Sequence, residues 1–292
     1  MFKTDKIEKL VECCMLGSFI NDEGSKHCPL SLMLIAPPET AKTSILLGFN
    51  SYKALEATDM SPKSIRDVLI PKLDNKEINC IVIPDMLKIL SHKSDTVKAT
   101  ITFFNALMEE GVKDSMFYGQ EYHLKERATC GIITSITTSY YNMMFSQWND
   151  IGFTSRFLPV AYDYSEATIR EIQQTIQEGE VFNAIKEIKK GEIREGYEIS
   201  IPSEIGALVC KDVQRLTDKM NSYVISSKTE KGKVREFTPE YKGFRLQKQS
   251  RQLLKAVALM RDRENPVVTL EDYAKFVDLI DYINMPNTKM ML

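Results

Sequence analysis

The chain has 292 residues, 43% of them hydrophobic and 27% charged, which excludes a disordered polypeptide and leaves room for one large domain or two modest ones. Its 38 basic and 40 acidic residues give a net charge of −2, so a broadly basic nucleic-acid coat is excluded, although a local basic channel inside a ring is not. No apolar run reaches the roughly 18 residues of a membrane helix, and MFKTDKIEKLVECCMLGSF lacks a signal-peptide core, so neither membrane insertion nor export is expected.

In chain order, residues 3–20 place Ile7, Leu10, Val11 and Cys14 at helical spacing, and Asn21-Asp22-Glu23-Gly24-Ser25 reads as a loop. Residues 30–35 (LSLMLI) form a short, nearly continuous apolar run, as a buried parallel strand does. A turn with proline and threonine follows, and helical character resumes over 42–49. Residues 79–84 (NCIVIP) predict a second buried strand closing on Asp85. A helix is expected over 96–110, stopping at Gly111, then a charged segment at 111–128, then a third strand over 129–138 (TCGIITSITT). Strands alternating with helices over about 160 residues favour an α/β domain with a mostly parallel sheet.

After Ser165 the composition shifts. Amphipathic helices are expected over 166–190 and 203–225, with a polar connector, KTEKGKVR, at 228–235. Another helix covers 245–260, is broken before Pro266, and gives way to a last helix for which Thr269 is the expected N-cap. This part reads as all-helical. The six cysteines, Cys13, Cys14, Cys28, Cys80, Cys130 and Cys210, show no CxxC spacing; buried free thiols in a reducing, cytoplasmic compartment are expected. His27, His92 and His123 are too far apart in sequence to suggest a metal site.

Between the first strand and the next helix lies Ala36-Pro37-Pro38-Glu39-Thr40-Ala41-Lys42-Thr43. A phosphate loop works by surrounding phosphates with backbone N–H groups while a lysine neutralises the outer ones and the next hydroxyl helps hold Mg²⁺. Lys42 and Thr43 stand where that chemistry needs them, but both pattern glycines are alanine, Ala36 and Ala41. An ordinary strand-turn-helix is the competing reading.

LMLIAPPETAKTSIL resembles the Walker A segment of the minichromosome maintenance (MCM) helicases, AAA+ ATPases whose loop typically carries alanine before the lysine. The resemblance implies an ATP site over residues 36–44, including Ser44, with Mg²⁺ at Thr43 and Asp85. Residues 81–88 resemble the Walker B region with a single acid. Such a motor needs carboxylates at the tip of a strand beside the loop, one supporting Mg²⁺ and one polarising water. Asp85 could fill either place, or simply cap a helix; Glu109 or Glu110 could supply a missing base. Thr137 and Thr138 stand where AAA+ proteins keep a first sensor, Thr138 being the expected one.

Ser155-Arg156-Phe157 is similar to the MCM arginine-finger tripeptide, and Arg156 would then act on a neighbouring subunit's γ-phosphate. Residues 245–260 followed by Val268-Thr269-Leu270-Glu271-Asp272 look like the MCM lid, with Arg245 as second sensor, also in trans, and Arg251 as runner-up. Together these imply an AAA+ domain over residues 1–164 and a helical lid over 165–292. They also imply a homo-oligomeric ring such as a hexamer, and DNA as partner, with Lys113, Lys125 and Arg127 of the 111–128 segment as candidate phosphate contacts. Three functions fit: a DNA-translocating or unwinding ATPase, an ATP-dependent scaffold or switch with little turnover, and a protein-remodelling factor.

Overall fold

A computed structural model describes residues 3–21, 29–117, 120–177, 185–230 and 241–292. Most of the loop expected at 21–25, together with His27, Cys28, residues 178–184 of the expected 166–190 helix and the connector from residue 231 onward, lies outside the described residues.

The chain opens with α1 (Asp5–Gly17), whose Asp5 and Glu8 sit in the first turn, where the helix dipole favours negative charge. Its expected apolar face, Ile7, Leu10, Val11 and Cys14, is fully buried. Strand β1 (Ile20–Asn21) follows, then β2 (Leu32–Ala36), α2 (Lys42–Leu47), β3 (Phe49–Ser51) and β4 (Ala54–Glu56). A helical stretch comes next: α3 (Pro62–Ser64), a π-helical segment (Ile65–Leu69) and α4 (Ile70–Asp74). The middle of the chain forms β5 (Cys80–Ile83), α5 (Met86–Leu90), α6 (Ser94–Met108), β6 (Val112–Phe117), β7 (Gln120–Ala128), β8 (Gly131–Thr137) and α7 (Thr138–Asp150). Then come a 3₁₀ turn (Thr154–Arg156), β9 (Leu158–Asp163), α8 (Glu166–Gln177), β10 (Lys186–Ile188), β11 (Tyr197–Glu198), α9 (Ser203–Glu230), α10 (Phe244–Arg261), α11 (Leu270–Ile280) and β12 (Met290–Met291).

The protein is a mixed α/β fold around a six-stranded sheet of order β12-β9-β2-β8-β5-β4, with every pairing parallel. All residues of β2 and β5 are buried. Successive strand residues point to opposite faces, so complete burial requires cover on both sides, which is why these strands read as unbroken apolar runs. Gly131 opens β8 where a Cβ would stand 2.3 Å from the Leu30 carbonyl oxygen; only glycine fits that approach. The expected helix end at Gly111 is also present, α6 stopping three residues earlier with Gly111 at φ +74°.

The expectation of an all-helical C-terminal part is corrected. Among the described residues after 165 there are three short strands, and each pairs in parallel with the earlier part: β10 with β3, β11 with β1 and β12 with β9. Strands of two or three residues are too short to show alternation, and their partners are remote in sequence. The connector expected from residue 228 also begins later, because α9 continues to Glu230. Helix α10 packs along α1, with Ala256 and Ala258 fully buried.

Candidate nucleotide site and a separate arginine pair

In a parallel sheet, ligands settle beyond the carboxyl ends of the strands, where neighbouring connections leave in opposite directions. Here the connection out of β2 runs toward the β4 edge, while the connection out of β8 crosses to β9 on the other side. The switch point is therefore the crevice between β2 and β8. Residues 37–41 leave β2 directly above it.

This loop is held from below. Thr40 donates from its hydroxyl to the Pro37 carbonyl at 2.7 Å, and the Tyr162 and Tyr164 hydroxyls both donate to the Thr40 carbonyl, at 2.8 and 3.3 Å. Glu39 and Ala41 are left-handed at φ 61° and 58°, a region costing a side-chain-bearing residue about 1–2 kcal/mol. Such backbone persists only where its surroundings fix it, and the two tyrosines do so. The two missing glycines thus differ in consequence: Ala41 bears strain, whereas Ala36 lies in extended β2, fully buried.

Lys42 opens α2 and is buried, its ammonium donating to the Pro37 carbonyl and to Thr40 Oγ1. Burial pulls its pKa below the ordinary lysine value, while the negative charges of Asp85 and Asp163 act in the opposite direction. Thr43 and Ser44 are exposed on the first turn. Asp85 leaves the tip of β5 and caps α5, its carboxylate accepting from the Leu87 amide at 3.0 Å. The strand carrying it is not the immediate neighbour of β2, because β8 stands between them. Thr137, the last residue of β8, is level with Ala36 across the crevice; Thr138 is the first residue of α7.

Sequence reasoning missed Asp163. It ends β9, the strand on the other flank of β2, and pairs with Lys289 at 2.7 Å. The usable signal was an acid closing the apolar run LPVAYD, the same signature that drew attention to Asp85.

Arg156 and Arg245 lie elsewhere. Register pairs Leu32 with Leu158, so Arg156, two residues earlier, sits at the amino edge of the sheet. Lys42 is at the carboxyl edge, about 15–20 Å away along a five-residue strand at 3.3 Å per residue. Arg156 pairs with Glu109 at 3.0 Å and Glu110 at 3.3 Å, and Arg245 with Glu109 at 2.7 Å. Burial lowers the Arg156 pKa, as does the Arg245 charge; the two glutamates oppose both. Glu109 and Glu110 are therefore not placed to serve as a base beside Lys42 of their own chain. Arg251 lies further along α10, half-buried.

Strands β6 and β7 pair antiparallel, and β7 ends three residues before β8 begins. Lys113, Lys125 and Arg127 are exposed on this pair, but Lys125 pairs with Asp74 at 3.4 Å and Arg127 donates to the Gly111 carbonyl at 2.9 Å.

No family model matches this sequence, and no curated protein does. Among solved structures, the chain is similar to a full-length MCM homolog from Methanopyrus kandleri. The TM-score is 0.48 and the identity 13%, with 100% of this chain and 57% of that one covered. The chain thus spans little more than half the length of that protein.

Proposed function

We propose that this chain is an MCM-like AAA+ ATPase that binds Mg-ATP at the carboxyl edge of its sheet and couples hydrolysis to translocation on DNA, or to its unwinding or remodelling. In this reading residues 1–164 are the nucleotide domain and 165–292 the lid, and the working unit is a homo-oligomeric ring. The observation that carries it is the seat of Lys42: a buried lysine on a strained, tyrosine-braced loop at the topological switch point, its charge favoured by two strand-end acids. Backbone amides of residues 37–43 would surround the phosphates, with Lys42 on the outer ones.

The donors fit magnesium. One hydroxyl, Thr43, and one carboxylate, Asp85, suit an ion that keeps several waters and takes its other ligands from phosphate. Mg²⁺ bound there would neutralise charge developing on the transferred phosphoryl group. Arg156 and Arg245 would reach the triphosphate of an adjacent copy.

The test is phosphate release with and without single-stranded and duplex DNA. Lys42→Ala should lower turnover by about 100-fold or more, because it removes a charge aimed at the reacting phosphate. Calorimetry with Mg-ATP that shows no heat dependent on Lys42 would sink the proposal. A second reading, an ATP-held scaffold with little turnover, is favoured by one feature: the Asp85 carboxylate already caps α5, and Met86, not a second acid, follows it. Tight binding without release would select that reading.

A further inference from the structure

The two carboxylate oxygens of Glu109 are divided between two arginines. Oε1 accepts from Arg245 Nε at 2.7 Å, and Oε2 lies 3.0 Å from Arg156 Nη2. One guanidinium belongs to the 3₁₀ turn before β9 and the other to the first turn of α10. Two like charges side by side repel, so the anion between them is what allows the pair to exist.

From this we infer that Glu109 is the positioning residue that holds Arg156 and Arg245 as one array for a triphosphate bound to an adjacent copy, an inference that rests on the nucleotide reading above. The rest of the array is built around the same arrangement. Arg156 Nη1 donates to the Gly152 carbonyl at 2.6 Å, Arg245 Nη1 donates to Ser155 Oγ at 2.8 Å, and Gln249 Nε2 donates to the Arg156 carbonyl at 2.8 Å. Gly152 is left-handed at φ +70°, and a Cβ there would stand 2.9 Å from Arg156 Nη1 and 3.6 Å from Arg245 Nη1. Both guanidinium groups therefore converge on a single glycine.

A purely structural ion-pair cluster would satisfy its donors. This one does not: among the described residues, Arg156 Nε is buried without a hydrogen-bond partner, on a side chain only 9% exposed, and Glu109 Oε2 is held by charge alone. A buried donor left over costs about 1–3 kcal/mol, so the ion pair with Glu109 holds Arg156 in place against a local penalty. Glu110 is the looser restraint, 56% exposed and 3.3 Å from Arg156. On either side of the array the apolar residues Ile151 and Phe244 are 49% and 78% exposed, as suits a face that a second copy covers.

The experiment uses the full chain. Glu109→Gln should lower phosphate release by about 10- to 100-fold, the scale of losses from a misplaced charged group, while affinity for a non-hydrolysable ATP analogue stays within about twofold because Lys42 is untouched. Mixing that variant with Lys42→Ala chains should restore turnover, since the latter carry intact arginine pairs and the former intact nucleotide sites. Glu109→Asp, which keeps the charge, should retain more activity than Gln and provides the test should the Gln variant misfold. Wild-type turnover in both variants, or a loss that mixing does not rescue, overturns the inference alone. A wild-type chain that releases no phosphate in any condition overturns the hydrolytic reading and this inference with it, whereas Mg-ATP calorimetry without Lys42-dependent heat overturns nucleotide binding as well.

Discussion

Asp85 accepts from the Leu87 amide and so caps a five-residue helix, while its charge also acts on Lys42. Serine caps a helix about as well as aspartate but carries no charge. Asp85→Ser should therefore leave unfolding stability within about 0.5 kcal/mol of wild type, yet lower phosphate release by about 100-fold if the carboxylate supports the metal or the water. Denaturant melts beside a turnover assay separate the two roles; unchanged turnover would reduce Asp85 to a cap. At this scale local placement was legible wherever it lies in one contiguous run, as with Lys42 opening a helix after a strand and Asp85 at a strand tip. It was opaque where a role depends on a remote partner. Asp163 meets Lys289 across 126 residues and Glu109 meets Arg245 across 136, and neither meeting leaves a local trace.

The last helix carries the clearest elemental signal, Thr-Leu-Glu-Asp, and α11 does begin with Thr269 as its N-cap in a reciprocal box with Asp272. The structure adds what the sequence alone withholds: Asp272 is fully buried and also takes two donors from Arg261, at 2.8 and 3.1 Å. Burial pushes its pKa up, but hydrogen bonds from Arg261 and Thr269 more than offset that, and the net shift is downward. A carboxyl depressed in the folded state adds stability that is complete above its unfolded pKa of about 4 and disappears as pH falls through the folded value. Asp272→Asn should accordingly cost about 2 kcal/mol at pH 7, the range of hydrogen bonds to charged groups, with the gap closing below about pH 4. Urea melts across that range decide it; a gap independent of pH would refute the assignment. The long helices α1, α6 and α10 were readable from their apolar periods, and the buried β2, β5 and β8 from their short apolar runs. The three-residue β3, β4 and β10 were not, since pairing rather than pattern creates them.

Across the whole molecule, all strands of the main sheet are parallel, so their carboxyl ends share one edge and their amino ends the other. Lys42 is at the first edge and the Arg156–Arg245 pair at the second. A separation of about 15–20 Å is beyond the reach of one arginine side chain, so in the proposed reading a single copy would not complete its own site. Head-to-tail contact between copies would solve this, because it would set one copy's amino edge against the next copy's carboxyl edge and close into a ring if the rotation permitted. The consequence is arithmetical. Lys42→Ala and Arg156→Ala chains should each be nearly inactive alone, but an equal mixture forms junctions at random. About one half of the junctions then present an intact nucleotide site, and half of those meet an intact arginine, which gives about a quarter of wild-type turnover whatever the ring size. Should the mixture stay as inactive as its components, the arginines do not work between copies, and the placement of the two edges has another purpose.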